Sequence, residues 1–190
     1  MTLTDTTAQI PGYVPGTWTI DPSHSHVEFS VRHMMVSKVR GHFSRFSGQV
    51  VTASDPLASS VTAEIDLTSI DTGNEQRDAH IRSADFFDAE ENRTMSYRST
   101  GIRRDGDDFV LDGVLTLKGV TRPVPLHLEL NGFGADAWGG TRAGFSATGE
   151  INRRDFGVNW NAAIEGGGVV VGDKVSIQLE IEAVLDSPDA

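Results

Sequence analysis

The chain has 190 residues and a formal net charge of −11, and it contains no cysteine. This length is typical of one domain with a substantial hydrophobic core. The negative charge argues against a nucleic-acid ligand, because the phosphates would be repelled. The lack of cysteine excludes disulfides, thiolate metal sites and cysteine nucleophiles. No apolar run approaches the roughly 18 residues that a transmembrane helix needs.

The first 16 residues are rich in threonine, proline and glycine, which predicts a flexible leader. This segment has no Lys or Arg and no apolar run, so it lacks the pattern of a secretory signal peptide. We therefore expect a cytoplasmic protein with one domain over residues 17–186 and a short tail over residues 187–190.

The clearest strand pattern follows the turn at Asp21-Pro22. Apolar and polar residues alternate there with a period of two, which places the apolar side chains on one face of a sheet. We predict a long strand from about His24 to Arg32, with a wetted charged face and a buried apolar face formed by Val27, Phe29 and Val31. The apolar turn that follows, residues 34–36, suggests a buried connection or a mobile lip.

A short helical insert interrupts the strands at about residues 73–90. We predict a helix over Glu75–Arg82, with the Thr72 hydroxyl as its cap in a capping box. Asp78 and Arg82 have the spacing of an ion pair across one helical turn. The segment Asp85–Asp88 predicts one further turn with two aromatic side chains to bury.

The remaining segments show strand patterns separated by turn signals such as Asp105-Gly106. About eight strands with hairpin spacing and no βαβ rhythm predict an all-β protein, either a single antiparallel barrel or a sandwich. A barrel removes exposed strand edges, and eight strands enclose a space that side chains fill or that holds one elongated ligand. An unfilled interior is favoured by four small residues at inward positions: Ala63, Gly113, Ala147 and Gly149.

Histidines are the main candidates for chemistry. The spacing of His24 and His26 would place both imidazoles on one strand face, where they could bind a metal together with a third ligand. A turn hydrogen bond is the simpler role for His24, so we expect no metal site. No nucleophile elbow or triad signature is present, and we expect no catalytic residues. Arg153, Arg154 and Asp155 are expected to lock a turn.

Seven motifs follow one another along the chain. They are WTIDPSHSHVEFSVRHM at 18–34, VRGHF at 39–43, SIDTGNEQRDAHI at 69–81, DFFD at 85–88, LTLKGVTRPV at 115–124, INRRDFG at 151–157 and VGDKV at 171–175. The ordered set covers about residues 18–184 and resembles the YceI-like family of lipocalin-like, polyisoprenoid-binding proteins.

The resemblance implies an eight-stranded, lipocalin-like barrel whose apolar tunnel holds a long-chain isoprenoid, such as a quinone or a polyprenyl phosphate. It further implies carriage, storage or sequestration of that lipid without catalysis, and no cofactor other than the lipid itself. The expected partner is an isoprenoid or fatty lipid, with no nucleic acid and no stable membrane insertion, and a homodimer stays open. The alternative function is a hydrolase or a metal-dependent enzyme at the histidine-rich end of the barrel.

We expect the lipid chain to contact aliphatic and aromatic side chains on the inner face of the barrel. These are Val27, Phe29, Val31, Phe43, Phe46, Ile65, Leu67, Phe86, Phe87, Leu115, Leu117, Phe145 and Phe156. Three polar residues near one mouth, His33, Arg77 and His80, either contact the lipid head group or form a hydrogen-bonded network that docks the helix.

Overall fold

The structure is a computed structural model that describes residues 10–188. Within these residues, strand segments joined by turns and longer loops form most of the structure, and one α-helix lies between β6 and β7 in the chain. The strands are β1 Gly16–Ile20, β2 His26–His33, β3 Ser37–Phe43, β4 Phe46–Thr52, β5 Ser60–Asp66, β6 Ile70–Asp71, β7 Thr94–Asp105, β8 Asp108–Leu117, β9 Val120–Pro123, β10 Leu126–Ala135, β11 Thr141–Asn152 and β12 Val171–Leu185, and the helix is α1 Glu75–Arg82.

Interrupted strands close the sheet into a barrel. β1 and β2 lie end to end along one edge of β12, with Trp18 opposite Leu185 and Val27 opposite Leu179. β4 pairs with β1, and β3 pairs with β2. On the far side of these two strands, β5 pairs with β4 and β6 pairs with β3. Together with β7, β8, β10, β11 and β12 they form a closed eight-stranded antiparallel barrel. The predicted fold class is confirmed, and the sandwich alternative is wrong.

The long strand predicted from His24 begins two residues later, at His26. A 3₁₀ turn occupies Pro22–His24, because the Asp21 carboxylate accepts a hydrogen bond from the Ser23 backbone N–H at 3.0 Å. The predicted register is otherwise observed: Val27, Phe29 and Val31 face the interior, whereas Glu28 and Arg32 are exposed and only border the cavity.

Helix α1 has the predicted bounds but a different cap. The N-cap is Asn74, whose side-chain oxygen accepts a hydrogen bond from the Arg77 N–H at 2.9 Å. The Thr72 oxygen is already engaged, because it accepts from Arg77 Nε at 2.7 Å and its hydroxyl donates to Asp78. Thr72 therefore docks the helix instead of capping it.

The predicted pair between Asp78 and Arg82 does not form. Asp78 is buried and accepts from the backbone N–H of Thr72 at 3.0 Å. Arg82 instead bridges to Glu75, with 2.8 Å between Nη2 and Oε1. Periodicity identified neighbours on the helix but could not show which carboxylate the sheet would bury.

The two ends of the barrel differ in composition. We call one the helix end; it carries α1, the β2–β3 turn and residues 153–170. We call the other the plug end; it carries Tyr13, Trp18, Phe133 and Phe145. No helix among residues 10–188 is long and apolar enough to cross a membrane.

The predicted leader is only partly described. Residues 1–9, like residues 189–190 of the predicted tail, lie outside the described residues. Tyr13 lies against the barrel, because its hydroxyl donates to the Ala53 carbonyl at 2.6 Å and its ring contacts Phe133.

Candidate functional site

An apolar cavity of about 430 Å³ runs through the barrel interior. Inward side chains from β2, β3, β4, β5, β7, β8, β10, β11 and β12 form its wall. Of the residues predicted to contact lipid, those on the wall are Val27, Phe29, Val31, Phe43, Phe46, Ile65, Phe86, Phe87, Leu115, Leu117 and Phe145. This placement makes them available to a ligand, and contact with lipid remains a prediction.

Leu67 and Phe156 are not part of the cavity wall. They are 0% and 1% exposed, and each lies in a 3₁₀ turn next to a strand end. The alternation of a strand stops where such a turn begins, so the facing direction of these side chains could not be read from the sequence. Both residues belong to the surrounding hydrophobic core.

Of the four small residues predicted to leave the interior unfilled, two do so and two do not. Ala63 and Ala147 do line the cavity. A Cβ on Gly113, however, would collide with the ring of Tyr97, and a Cβ on Gly149 would lie 2.6 Å from a methyl group of Leu126. These two glycines therefore make room for larger neighbours and do not leave empty space.

Tyr97 contributes a polar group to this wall. Its hydroxyl donates to the Val124 carbonyl at 2.9 Å. Burial, with a smaller effect from Asp112, raises the pKa of the Tyr97 phenol to about 12. The phenol is thus neutral at physiological pH, which suits an apolar cavity.

The plug end forms the floor of the cavity. The ring of Phe133 packs edge-on against Tyr13 at 5.3 Å, Trp18 at 5.6 Å and Phe145 at 6.1 Å between centroids. Trp18 is 0% exposed, and its indole N–H donates to the Thr52 hydroxyl at 2.8 Å. Sequence reasoning predicted Phe145 as a cavity residue but missed its partners in this floor, since Tyr13 lies in a Pro- and Gly-rich segment without a strand pattern.

All three predicted head-group residues reach the cavity at the helix end. Arg77 also donates from Nε and Nη2 to the hydroxyl and carbonyl of Thr72, both at 2.7 Å. His80 shares a hydrogen bond of 2.8 Å with Asp85, and its ring packs edge-on against Trp160. The helix-docking network is therefore present, and head-group contact stays a prediction for His33, Arg77 and His80.

Arg153 anchors the loop that covers this end. It is only 4% exposed, and burial lowers the pKa of its guanidinium from the ordinary value. It donates to backbone carbonyls across the loop, as expected for a turn lock. The acceptors are Val158, Trp160, Val171 and Gly172, at 2.8, 2.8, 3.3 and 2.9 Å.

Two groups of side chains among the described residues have the proximity of metal ligands, and neither lies on the cavity wall. The first, Asp21, His24 and Glu182, already contains a cation, because Arg142 contacts Asp21 at 2.9 Å and Glu182 at 2.7 Å. His26 belongs to neither group. The second group is Asp108, His127 and Glu129, all of them at least partly exposed.

No serine is positioned by a histidine ring at the helix end of the described chain. The Ser83 hydroxyl donates to the backbone carbonyl of His80, and the His80 ring faces Asp85. This arrangement docks a helix terminus and offers no activated nucleophile.

A family model, the YceI-like domain, matches residues 18–183. The chain belongs to the YceI-like domain family. The YceI protein of Escherichia coli is 42% identical over 136 residues, which is 71% of each chain. The resemblance read from the ordered motifs is thereby confirmed.

Solved structures show the same fold. The barrel matches Burkholderia cenocepacia BcnA with a TM-score of 0.75 at 25% identity, over 86% of this chain and 98% of that chain. A polyisoprenoid binding domain from Saccharophagus degradans, implicated in plant cell wall breakdown, matches with a TM-score of 0.69 over 91% of this chain and all of that domain. Since that identity is 16%, this second likeness concerns the YceI-like fold alone.

Proposed function

We propose that the barrel binds a long-chain isoprenoid or a similar amphiphilic lipid in its cavity, for carriage, storage or sequestration and without catalysis. The observation that carries this proposal is the cavity of about 430 Å³, whose wall is formed mainly by apolar side chains. The polyisoprenoid binding domain of the same fold supports an isoprenoid as the ligand class.

The energetics suit reversible binding. Burial of each CH₂ group contributes about 0.8 kcal/mol, so a chain of twenty carbons gains roughly 16 kcal/mol before costs. Association and ordering remove several to more than ten of those kcal/mol. The remainder is sufficient for tight binding that depends mainly on the apolar chain.

The polarity of the two ends orients the lipid. The floor at the plug end is aromatic, whereas the helix end carries Arg77, His33 and His80 on the wall. Burial of a polar head group costs less free energy where donors replace its hydration, so the head group belongs at the helix end. The isoprenoid tail then points towards Phe133.

A native mass spectrum of gently purified protein tests the proposal. We expect a mass added to the protein that organic extraction removes and that matches a long-chain lipid in the extract. A metal mass, or apo protein that also takes up no prenyl probe, would contradict it.

A pair of variants on neighbouring residues of β5 gives the matched control. Ala63 lies on the cavity wall, whereas Thr62 is exposed on the outer face. Ala63→Phe should fill part of the cavity and lower lipid content, while Thr62→Phe adds the same ring outside and should retain it. Equal lipid content in two folded variants would place the lipid outside the barrel.

A further inference from the structure

The β2–β3 turn exposes three consecutive apolar residues. Met34, Met35 and Val36 are 44%, 61% and 85% exposed. Exposed single apolar residues are ordinary, but three in succession at the tip of a hairpin form a patch.

The backbone of this turn makes the choice of methionine unusual. Met34 and Met35 have φ angles of 49° and 61°, in the left-handed region. Glycine and asparagine are favoured there, whereas a residue with a longer side chain is strained. Neither solvent exposure nor turn geometry therefore favours methionine at these positions, and a functional reason for apolar side chains is indicated.

Uncompensated positive charge flanks the patch. Arg32 and Lys38 face each other directly across the two strands, and both are exposed. Like charges in that arrangement repel each other. Within residues 10–188, neither has a carboxylate within ion-pair distance. A chain with a net charge of −11 thus keeps two unpaired cations next to its exposed apolar turn.

The patch adjoins the cavity. Val31 and Val39, next to the two cations in sequence, lie on the cavity wall. The Met34 N–H donates to the carbonyl of Val170 at 2.8 Å, and Val170 is also a wall residue. The sulfur of Met35 lies over Gly168, a residue with φ of 107° in a run of three left-handed glycines.

We propose that this docking tip, formed by Arg32, Met34, Met35, Val36 and Lys38, binds the surface of an anionic phospholipid membrane. The apolar side chains enter the boundary between head groups and acyl chains, and the two cations contact lipid phosphates. Attachment is peripheral and reversible, because the apolar area is small. The role rests on the proposed function, since it brings the helix end of the cavity to the membrane for lipid exchange.

Vesicle co-sedimentation tests the tip directly. The probes are vesicles of phosphatidylcholine with about 30% phosphatidylglycerol, and vesicles of phosphatidylcholine alone. We expect the wild type to bind the anionic vesicles more tightly. Arg32→Gln with Lys38→Gln should weaken that binding about tenfold or more.

A second variant separates docking from folding. Met34→Asn with Met35→Gly installs residues that left-handed positions favour, so it should keep or raise the melting temperature. It should also reduce vesicle binding about tenfold or more, because the apolar contact is lost. Wild-type binding by this folded variant would overturn the proposal.

Trp138 provides the control at the opposite end. It is 84% exposed in the β10–β11 turn, beside Asp136. Trp138→Ser should leave vesicle binding unchanged, and loss of binding in this variant would place the contact at the plug end.

A dimer that Met34→Asn with Met35→Gly converts to monomer would identify the patch as a self-association surface and also overturn the proposal.

Lipid content, measured by native mass spectrometry on the same samples, separates the two proposals. Vesicle binding without bound lipid would contradict the proposed function and leave the docking tip supported. Bound lipid without vesicle binding would contradict the docking tip alone.

Discussion

The plug end and the β2–β3 turn of the helix end differ in how their charged groups are paired and in backbone strain. At the plug end, Arg142 contacts Asp21, Asp136 and Glu182, and the buried indole N–H of Trp18 has a hydroxyl partner. At the helix end, two cations face each other and two methionines occupy left-handed positions. The contrast indicates that the plug end stabilises the barrel, whereas the β2–β3 turn retains features that stability alone would not select.

Trp18→Ala should give the largest loss of stability. The side chain is 0% exposed and packs in the plug, so its removal should cost about 4 kcal/mol in the free energy of unfolding. Chemical denaturation measures this loss. Trp138→Ala, which truncates a tryptophan in solvent, should change stability by less than about 0.5 kcal/mol. Similar losses for the two variants would contradict the assignment of the plug as the stabilising end.

Arg153→Met should give the next largest effect, at the helix end. It removes the donors of several buried carbonyls, so we expect a loss of about 3 kcal/mol and faster hydrogen exchange in residues 158–172. Arg154→Met is the matched control, because Arg154 pairs with Asp173 in solvent and should contribute less than about 1 kcal/mol. An unchanged exchange rate in Arg153→Met would show that the loop is held by other contacts.

Phe86→Ala should separate ligand retention from stability. Phe86 is buried, contacts His80 and Trp160, and lines the cavity. Phe156 is also buried but lies outside the wall. Both truncations should cost about 3 kcal/mol, yet only Phe86→Ala should lower the lipid content measured by extraction. Full lipid retention in folded Phe86→Ala would contradict a contact between Phe86 and the ligand.

Acid pH should reveal a smaller contribution of the plug end to the free energy of unfolding. Hydrogen bonding to Arg142, with help from His24, lowers the pKa of Asp21 to about 2. Because the unfolded value is near 3.9, the resulting stability is complete above about pH 4 and is lost as the pH falls towards 2. We expect about 1 kcal/mol after allowance for solvent screening. Denaturation of Arg142→Gln at pH 7 and pH 3 should show a smaller difference than the wild type.

Asp66, at the end of β5, titrates in the same pH window and serves as the internal reference. Burial alone would raise its pKa, but hydrogen bonds from Thr68, Arg45 and Arg93 outweigh burial and lower the pKa to about 2. Arg142→Gln leaves these contacts intact, so part of the acid sensitivity should remain. Complete loss of acid sensitivity in Arg142→Gln would contradict an independent contribution from Asp66.

Strand periodicity predicted the barrel and most of its wall. In β2 the alternation around Phe29 identified the interior face, because one residue of register moves every side chain to the other face. The facing direction of Leu67 and Phe156 could not be predicted, because both lie in 3₁₀ turns where the strand periodicity has ended. The aromatic floor was missed because Tyr13 and Phe133 are distant in sequence and meet only when the barrel closes.

The most direct test of the lipid site is photolabelling with a prenyl chain that carries a diazirine near its tail. If the tail occupies the cavity, labelling should saturate near one probe per chain and map to wall residues next to the plug, such as Leu130, Phe133 and Ile181. Ala63→Phe should reduce that labelling, whereas Thr62→Phe should not. Labelling that never saturates, or that maps to the outer strand face, would contradict the account.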